Sequence, residues 1–126
     1  MTKKQSANKI LYLSTFPPRE CGIATFTQDL VSAFDWKFNP KIKSQVLALN
    51  DHATSIYNYD KKVIEEIPSA DLESYVSLAK KLNRMDDVKI VNIQHEFGLF
   101  GGDWGNYIIP FLQVIEKPIV VTLHSV

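Results

Sequence analysis

Val88-Lys89-Ile90-Val91-Asn92-Ile93-Gln94-His95-Glu96-Phe97-Gly98-Leu99-Phe100-Gly101-Gly102 decides the fold. The stretch opens on a short run rich in β-branched residues and breaks into a loop punctuated by glycine. Runs of this length without strict alternation read as strands buried on both faces, as in parallel sheets. Working outward, Ile10-Leu11-Tyr12-Leu13, bounded by Lys9 and the Pro17-Pro18 pair, has the same character, as does Ile119 to Leu123. Val46-Leu47-Ala48-Leu49 is a fourth such run, and Val63 to Ile67 a fifth with a weaker pattern.

Helical patterns lie between these runs. Ile23, Phe26, Leu30 and Phe34 recur at helical spacing and predict one apolar stripe. The start of this helix has two readings: directly at Gly22, or one turn later through a capping box of Thr25 and Gln28. A second helix is predicted over about Ala70 to Met85, with Leu72, Tyr75, Val76, Ala79 and Leu82 on one face and Ser69 or Asp71 as cap. A third begins near Asp103 and carries Trp104, Ile108, Leu112 and Ile115. Pro110 denies the carbonyl of Asn106 its partner, which predicts a kink or a later start. Lys117-Pro118 ends it. The segment from about Asn50 to Asp60 reads as an irregular loop rich in polar residues and tyrosine. Strands alternating with helices in this way predict right-handed crossovers and a doubly wound, Rossmann-like α/β sheet of about five parallel strands in the order 3-2-1-4-5, with helices on both faces.

Composition agrees with one globular domain. The 126 residues are 45% hydrophobic and 22% charged, within the range of ordinary folded proteins. Fourteen basic and fourteen acidic residues cancel, so charge gives no case for nucleic acid as a partner. A single cysteine, Cys21, rules out an internal disulfide and favours a reducing compartment. No apolar stretch approaches the roughly 20 residues that span a bilayer. Met1-Thr2-Lys3-Lys4-Gln5-Ser6 leads into a strand-like run without a small-residue cleavage site, which argues against a secretory signal. A cytoplasmic location is the expectation.

In an open parallel sheet the ligand site lies beyond the carboxyl ends of the strands, where strand order reverses. Three segments are expected at that edge: Phe16 to Gly22, Gln94 to Gly102, and His124-Ser125-Val126. Two of the three histidines and glycines from two loops thus gather on one rim. Gly22 at a helix start would let backbone approach a ligand, and the free N–H groups there attract anions. Arg19 would add a charge-assisted contact to phosphate or carboxylate. The plainer reading is that Gly22 permits a turn and Arg19 is solvated. A helix terminus contributes about 0.3–1 kcal/mol, or ~2 in a favourable site, whereas millimolar binding needs about 4 kcal/mol. That loop alone cannot hold a nucleotide.

Other phosphate and catalytic signatures are missing from the sequence. No GxGxxG follows the first strand and no GxxxxGK[ST] occurs. The first strand ends Leu13-Ser14-Thr15, not in the acidic residues of a phosphorylated receiver. His95-Glu96 begins a zinc-protease motif that fails, because Leu99 stands where the second histidine belongs. His95 at a strand end can polarise or orient a hydroxyl; it can equally be satisfied by backbone at the sheet edge. Cys21 at a helix N-terminus near a histidine would suit a nucleophilic thiol, although lone cysteines are more often small buried hydrophobes.

Phe16-Pro17-Pro18-Arg19-Glu20-Cys21-Gly22-Ile23-Ala24-Thr25-Phe26-Thr27 and Gln94 to Gly102 together resemble the corresponding segments of bacterial group 1 glycosyltransferases, the retaining family 4 with two Rossmann-like domains in the GT-B arrangement. Pro118-Ile119-Val120-Val121-Thr122-Leu123-His124-Ser125-Val126 resembles the same family at its fifth strand. The resemblance runs along nearly the whole chain and implies that residues 1–126 are the acceptor-side N-terminal domain. The donor domain, with most of the nucleotide-sugar contacts and a pair of glutamates, would lie outside them. It further implies transfer from a nucleotide-sugar to a carbohydrate or lipid-linked acceptor hydroxyl with retention, usually without a metal. Peripheral attachment to the inner membrane fits lipid-linked acceptors. By the same resemblance, His95 matches the histidine that faces the reacting sugar, and Gly22 the glycine near the donor. Arg19, Glu20, Glu96 and His124 follow as substrate-binding positions. Pro110 is unusual for the family's third helix. On this reading the chain alone is a fragment with negligible turnover. The alternative is a stand-alone, non-catalytic Rossmann-like module for ligand binding or interaction.

Overall fold

A computed structural model describes residues 7–52 and 54–125. Met1 to Ser6, read above for a secretory signal, and Val126 lie outside the described residues. The elements are β1 (Asn8–Ser14), α1 (Gly22–Phe38), β2 (Ile42–Asn50), β3 (Val63–Pro68), α2 (Leu72–Asn83), β4 (Val88–His95), a 3₁₀ turn (Asp103–Gly105), α3 (Ile108–Val114) and β5 (Ile119–Leu123). All strand pairs are parallel, and the sheet order is β3-β2-β1-β4-β5. The expected α/β architecture and strand order are therefore those of the molecule.

Two apolar layers flank the sheet. On one face Leu11, Leu13, Leu47, Leu49, Val91 and Ile93 pack against Tyr75, Leu78, Ala79 and Leu82 of α2 and Ile108 and Phe111 of α3. On the other, Tyr12, Phe16 and Val46 meet Val31 of α1. α1 packs on β1 and β2, which leaves Val120 of β5 exposed on its face, while Val121 and Leu123 are exposed on the opposite face of the sheet.

The helices differ from expectation in instructive ways. α1 starts at Gly22, so the Thr25–Gln28 capping box does not form. Its buried face is Ala24, Thr27 and Val31, whereas Phe26 of the anticipated stripe is exposed. Small residues let α1 lie close to the sheet, and the Thr27 hydroxyl is satisfied by Ser14 at 2.7 Å. Pro110 is the third residue of α3, in the first turn where the lost N–H has no intrahelical partner anyway. The helix starts later than Asp103 for this reason. At its far end α1 is fastened by Asp35, whose carboxylate accepts from the Ser44 backbone N–H at 3.0 Å and from Lys62.

The loop after β4 is held from below. Leu99 and Phe100 are buried in the α2–α3 layer. The Tyr75 hydroxyl donates to the Ser69 carbonyl (2.8 Å) and accepts from the Gly101 N–H (3.2 Å), joining this loop to the turn before α2. A Cβ on Gly101 would lie 2.1 Å from the Ser69 carbonyl oxygen, so only glycine fits that approach. Burial pushes the phenols of Tyr75 and Tyr59 up to about 12. Their neutral forms are favoured by folding, so this contribution is complete below about pH 10 and is lost as pH rises toward 12. Tyr75→Phe removes the hydroxyl and strands a half-buried carbonyl and amide. We expect a loss of about 1–3 kcal/mol in urea unfolding, with faster amide exchange at Gly101. Unchanged stability and exchange would show that the bridge does not hold the loop.

Candidate functional site

Parallel pairing delivers the ends of β1, β4 and β5 to one rim. The pairing with β4 continues one residue past the end of β5, since the His124 N–H donates to the His95 carbonyl at 2.9 Å. α1 reaches the same place: the Phe26 ring meets His124 edge-on at 5.0 Å, and Phe26 lies one turn beyond Gly22 on the same helix face. The Gly22, His95 and His124 segments thus meet at one edge.

Side-chain parity divides this rim into two faces. His95 faces the α2–α3 layer, where its ring stacks on Phe100 (5.4 Å, 14°) and meets Phe97 edge-on (5.0 Å). Its Nδ1 is buried and has no hydrogen-bond partner among the described residues. Phe97 meets Trp104 edge-on at 6.1 Å, and Trp104 stands 82% exposed with a positive φ of 55°. Glu96 and His124 lie on the α1 side. Glu96 accepts from Ser125 and, at 3.4 Å, from the Gly98 N–H; the Ser125 hydroxyl is the chief cause holding its carboxyl below the usual range. That tie therefore outlasts the ordinary carboxylate titration and is lost only as pH falls below it.

Sequence reasoning missed the residue that organises the α1 side. Gln94 is fully buried, and its amide joins β4 to β5. Its Nε2 donates to Asn92 Oδ1 and to Thr122 Oγ1 (3.3 Å), while its Oε1 lies 2.7 Å from His124 Nε2. The signal was present as Asn92-x-Gln94-x-Glu96, polar residues at a spacing of two at the carboxyl end of β4 and just beyond it.

The remaining predicted positions sit around the first loop. Glu20 is exposed. Arg19 is half-buried and not free: Nη1 donates to the Leu49 carbonyl at 2.9 Å, stitching the loop to the end of β2. Beside it lies a second unpredicted group. Asp51 accepts from Ser55 and Tyr57 (2.8 Å each), and these bonds pull its carboxyl down to about 2. Tyr59 donates to Asn50 Oδ1 (2.7 Å), and Asn50 donates to Glu66 (3.0 Å). The polar loop after β2 is therefore folded back on its own strand end. A cavity of about 350 Å³ lined by Asn39, Lys43, Ser44, Gln45, Lys61 and Lys62 lies at the amino ends of β2 and β3, away from this rim. Among the described residues, no three His, Cys, Asp or Glu side chains converge as a metal site would require.

Gly22 is exposed, and a Cβ built on it would meet nothing within 4 Å. The fold itself therefore gives no steric reason for glycine there. Cys21 caps α1: Sγ accepts from the Ala24 N–H at 3.3 Å and lies 3.0 Å from the Thr15 hydroxyl. No histidine is hydrogen-bonded to it among the described residues, so the thiol–imidazole pair of a cysteine nucleophile is not assembled. Cys21→Ala should cost about 1 kcal/mol in urea unfolding, and Cys21→Ser should restore or exceed the original stability. Equal midpoints for all three proteins would show that the sulfur cap contributes nothing.

Comparison with protein-family models, curated proteins and solved structures finds no match to this chain.

Proposed function

We propose that residues 1–126 are the acceptor-side, N-terminal Rossmann-like portion of a retaining glycosyltransferase that moves a sugar from a nucleotide-sugar to an acceptor hydroxyl. The observation that carries this reading is the meeting, at one carboxyl rim, of the Gly22, His95 and His124 segments. Those are the segments whose sequences resemble that family. Three further features support it. An open Gly22 leaves room at the first turn of α1 for a ligand phosphate or sugar. The His95 ring is only half-buried at the strand end, and its buried, unpartnered Nδ1 is a polar atom that an ordered water would satisfy. The exposed apolar residues of β5 fit a domain that works against a second one. In this reading His95 is the catalytic residue, and Gly22, Arg19, Glu20, Glu96 and His124 line the substrate. The nucleotide-sugar is a co-substrate and no metal takes part.

The test is to assay the full-length protein against a panel of nucleotide-sugars and to repeat with two variants. His95→Ala should lower kcat by about 10²-fold or more; undiminished transfer would remove His95 from the mechanism. Gly22→Ala separates binding from folding. Alanine enters open space, so stability should hold or rise by about 0.4–1 kcal/mol, while donor KM rises. An unchanged KM would assign Gly22 to the turn alone. Absence of transfer from every donor, in a protein that still folds, would favour the stand-alone module.

A further inference from the structure

Gln94 is a large polar side chain with no exposure, placed where β4 meets β5. Burying an amide is costly unless both its ends are satisfied, and here both are. The network also has a direction. Gln94 turns its Nε2 toward Asn92 Oδ1, which accepts, with Thr122 Oγ1 as second partner. That leaves Oε1 facing His124 Nε2 at 2.7 Å. A carbonyl oxygen accepts only, so His124 Nε2 must carry the proton. In histidine, the partner of one ring nitrogen fixes the role of the other. No hydrogen bond joins His124 Nδ1 to another described residue. Phe26 lies edge-on to the ring, so the imidazole is held from two directions, and the backbone N–H of His124 is tied to the His95 carbonyl.

We infer that Gln94 is a positioning residue: it fixes His124 as the Nε2–H tautomer and so presents Nδ1 as an acceptor for a hydroxyl group of the ligand. The ligand half of this inference rests on the transferase reading; the tautomer half does not. Glu96 cannot substitute for Gln94, since its carboxylate is already bonded to Ser125 and to the Gly98 N–H.

Imidazole proton–nitrogen correlation spectra of the ¹⁵N-labelled chain at alkaline pH decide the first half. The expected result is a pyrrole-type Nε2 and a pyridine-type Nδ1 for His124, with an Nε2–H proton protected from exchange. A protonated Nδ1 in the neutral ring would overturn the inference outright, whatever the variants do. Gln94→Leu should lose the protected proton, and Gln94→Glu, which keeps an acceptor oxygen, should retain it. A proton equally protected in folded Gln94→Leu would also overturn it; if that variant does not fold, the original protein and Gln94→Glu still decide. In the full-length protein Gln94→Leu should raise acceptor KM about tenfold while kcat changes much less. An unchanged KM alongside a lost tautomer would sink the ligand half alone. A protein with the expected tautomer that transfers no sugar would sink the transferase reading and leave Gln94 in its positioning role.

Discussion

β1 lies between β2 and β4, and all three run parallel. Chain order reverses at this strand, so the connections leaving β1 and β4 diverge to opposite faces and a crevice opens between them. Everything at the rim follows from that one constraint. The β1 end supplies Arg19 to Gly22, and the β4 end supplies His95 to Gly102. β5 then joins β4 so that His124 stands beside His95 along the backbone, although the two rings point to opposite faces.

The two faces of the rim are stabilised by different physics. On the α2–α3 side, aromatic packing dominates: Phe100 and Phe97 enclose His95, and Tyr75 pins the loop that carries them. On the α1 side, hydrogen bonds dominate, and Gln94 replaces the apolar residue that such a buried position usually holds. Fully satisfied buried networks of this kind hold side chains in one arrangement. Polar side chains occupy the α1 side of the sheet beyond the helix, with Asn92, Gln94, Thr122 and His124 forming a connected path.

The sheet was legible in the sequence because parallel strands, buried on both faces, leave unbroken apolar runs. Val88 to Ile93 and Ile10 to Leu13 each mark a strand within a few residues of its true bounds. The docking face of α1 was legible in part: Ile23, Leu30 and Phe34 of the stripe pack against the core, whereas Phe26 is exposed and the fully buried Ala24, Thr27 and Val31 are less apolar than the stripe. Close approach to a sheet favours small side chains, and Thr27 is acceptable inside only because Ser14 meets it. Rim membership could be read from strand ends alone, whereas the division of His95 from His124 depends on side-chain parity, which requires the register. The Asp51 group was hidden for another reason. A loop whose tyrosines fold back onto their own strand end has the composition of a loose one, and only the hydrogen bonds distinguish them.

Both tryptophans stand in water, Trp36 at 87% and Trp104 at 82% exposure, at the end of α1 and in the loop after β4 respectively. Intrinsic emission from this chain would consequently change little when it denatures, since the indoles begin and end in the same solvent. The same arrangement makes Trp104 a built-in optical reporter at the edge of His95's aromatic surroundings. A blue shift on mixing with another molecule, in a protein whose Trp36 has been replaced by phenylalanine, would mean that something had come to rest against that loop.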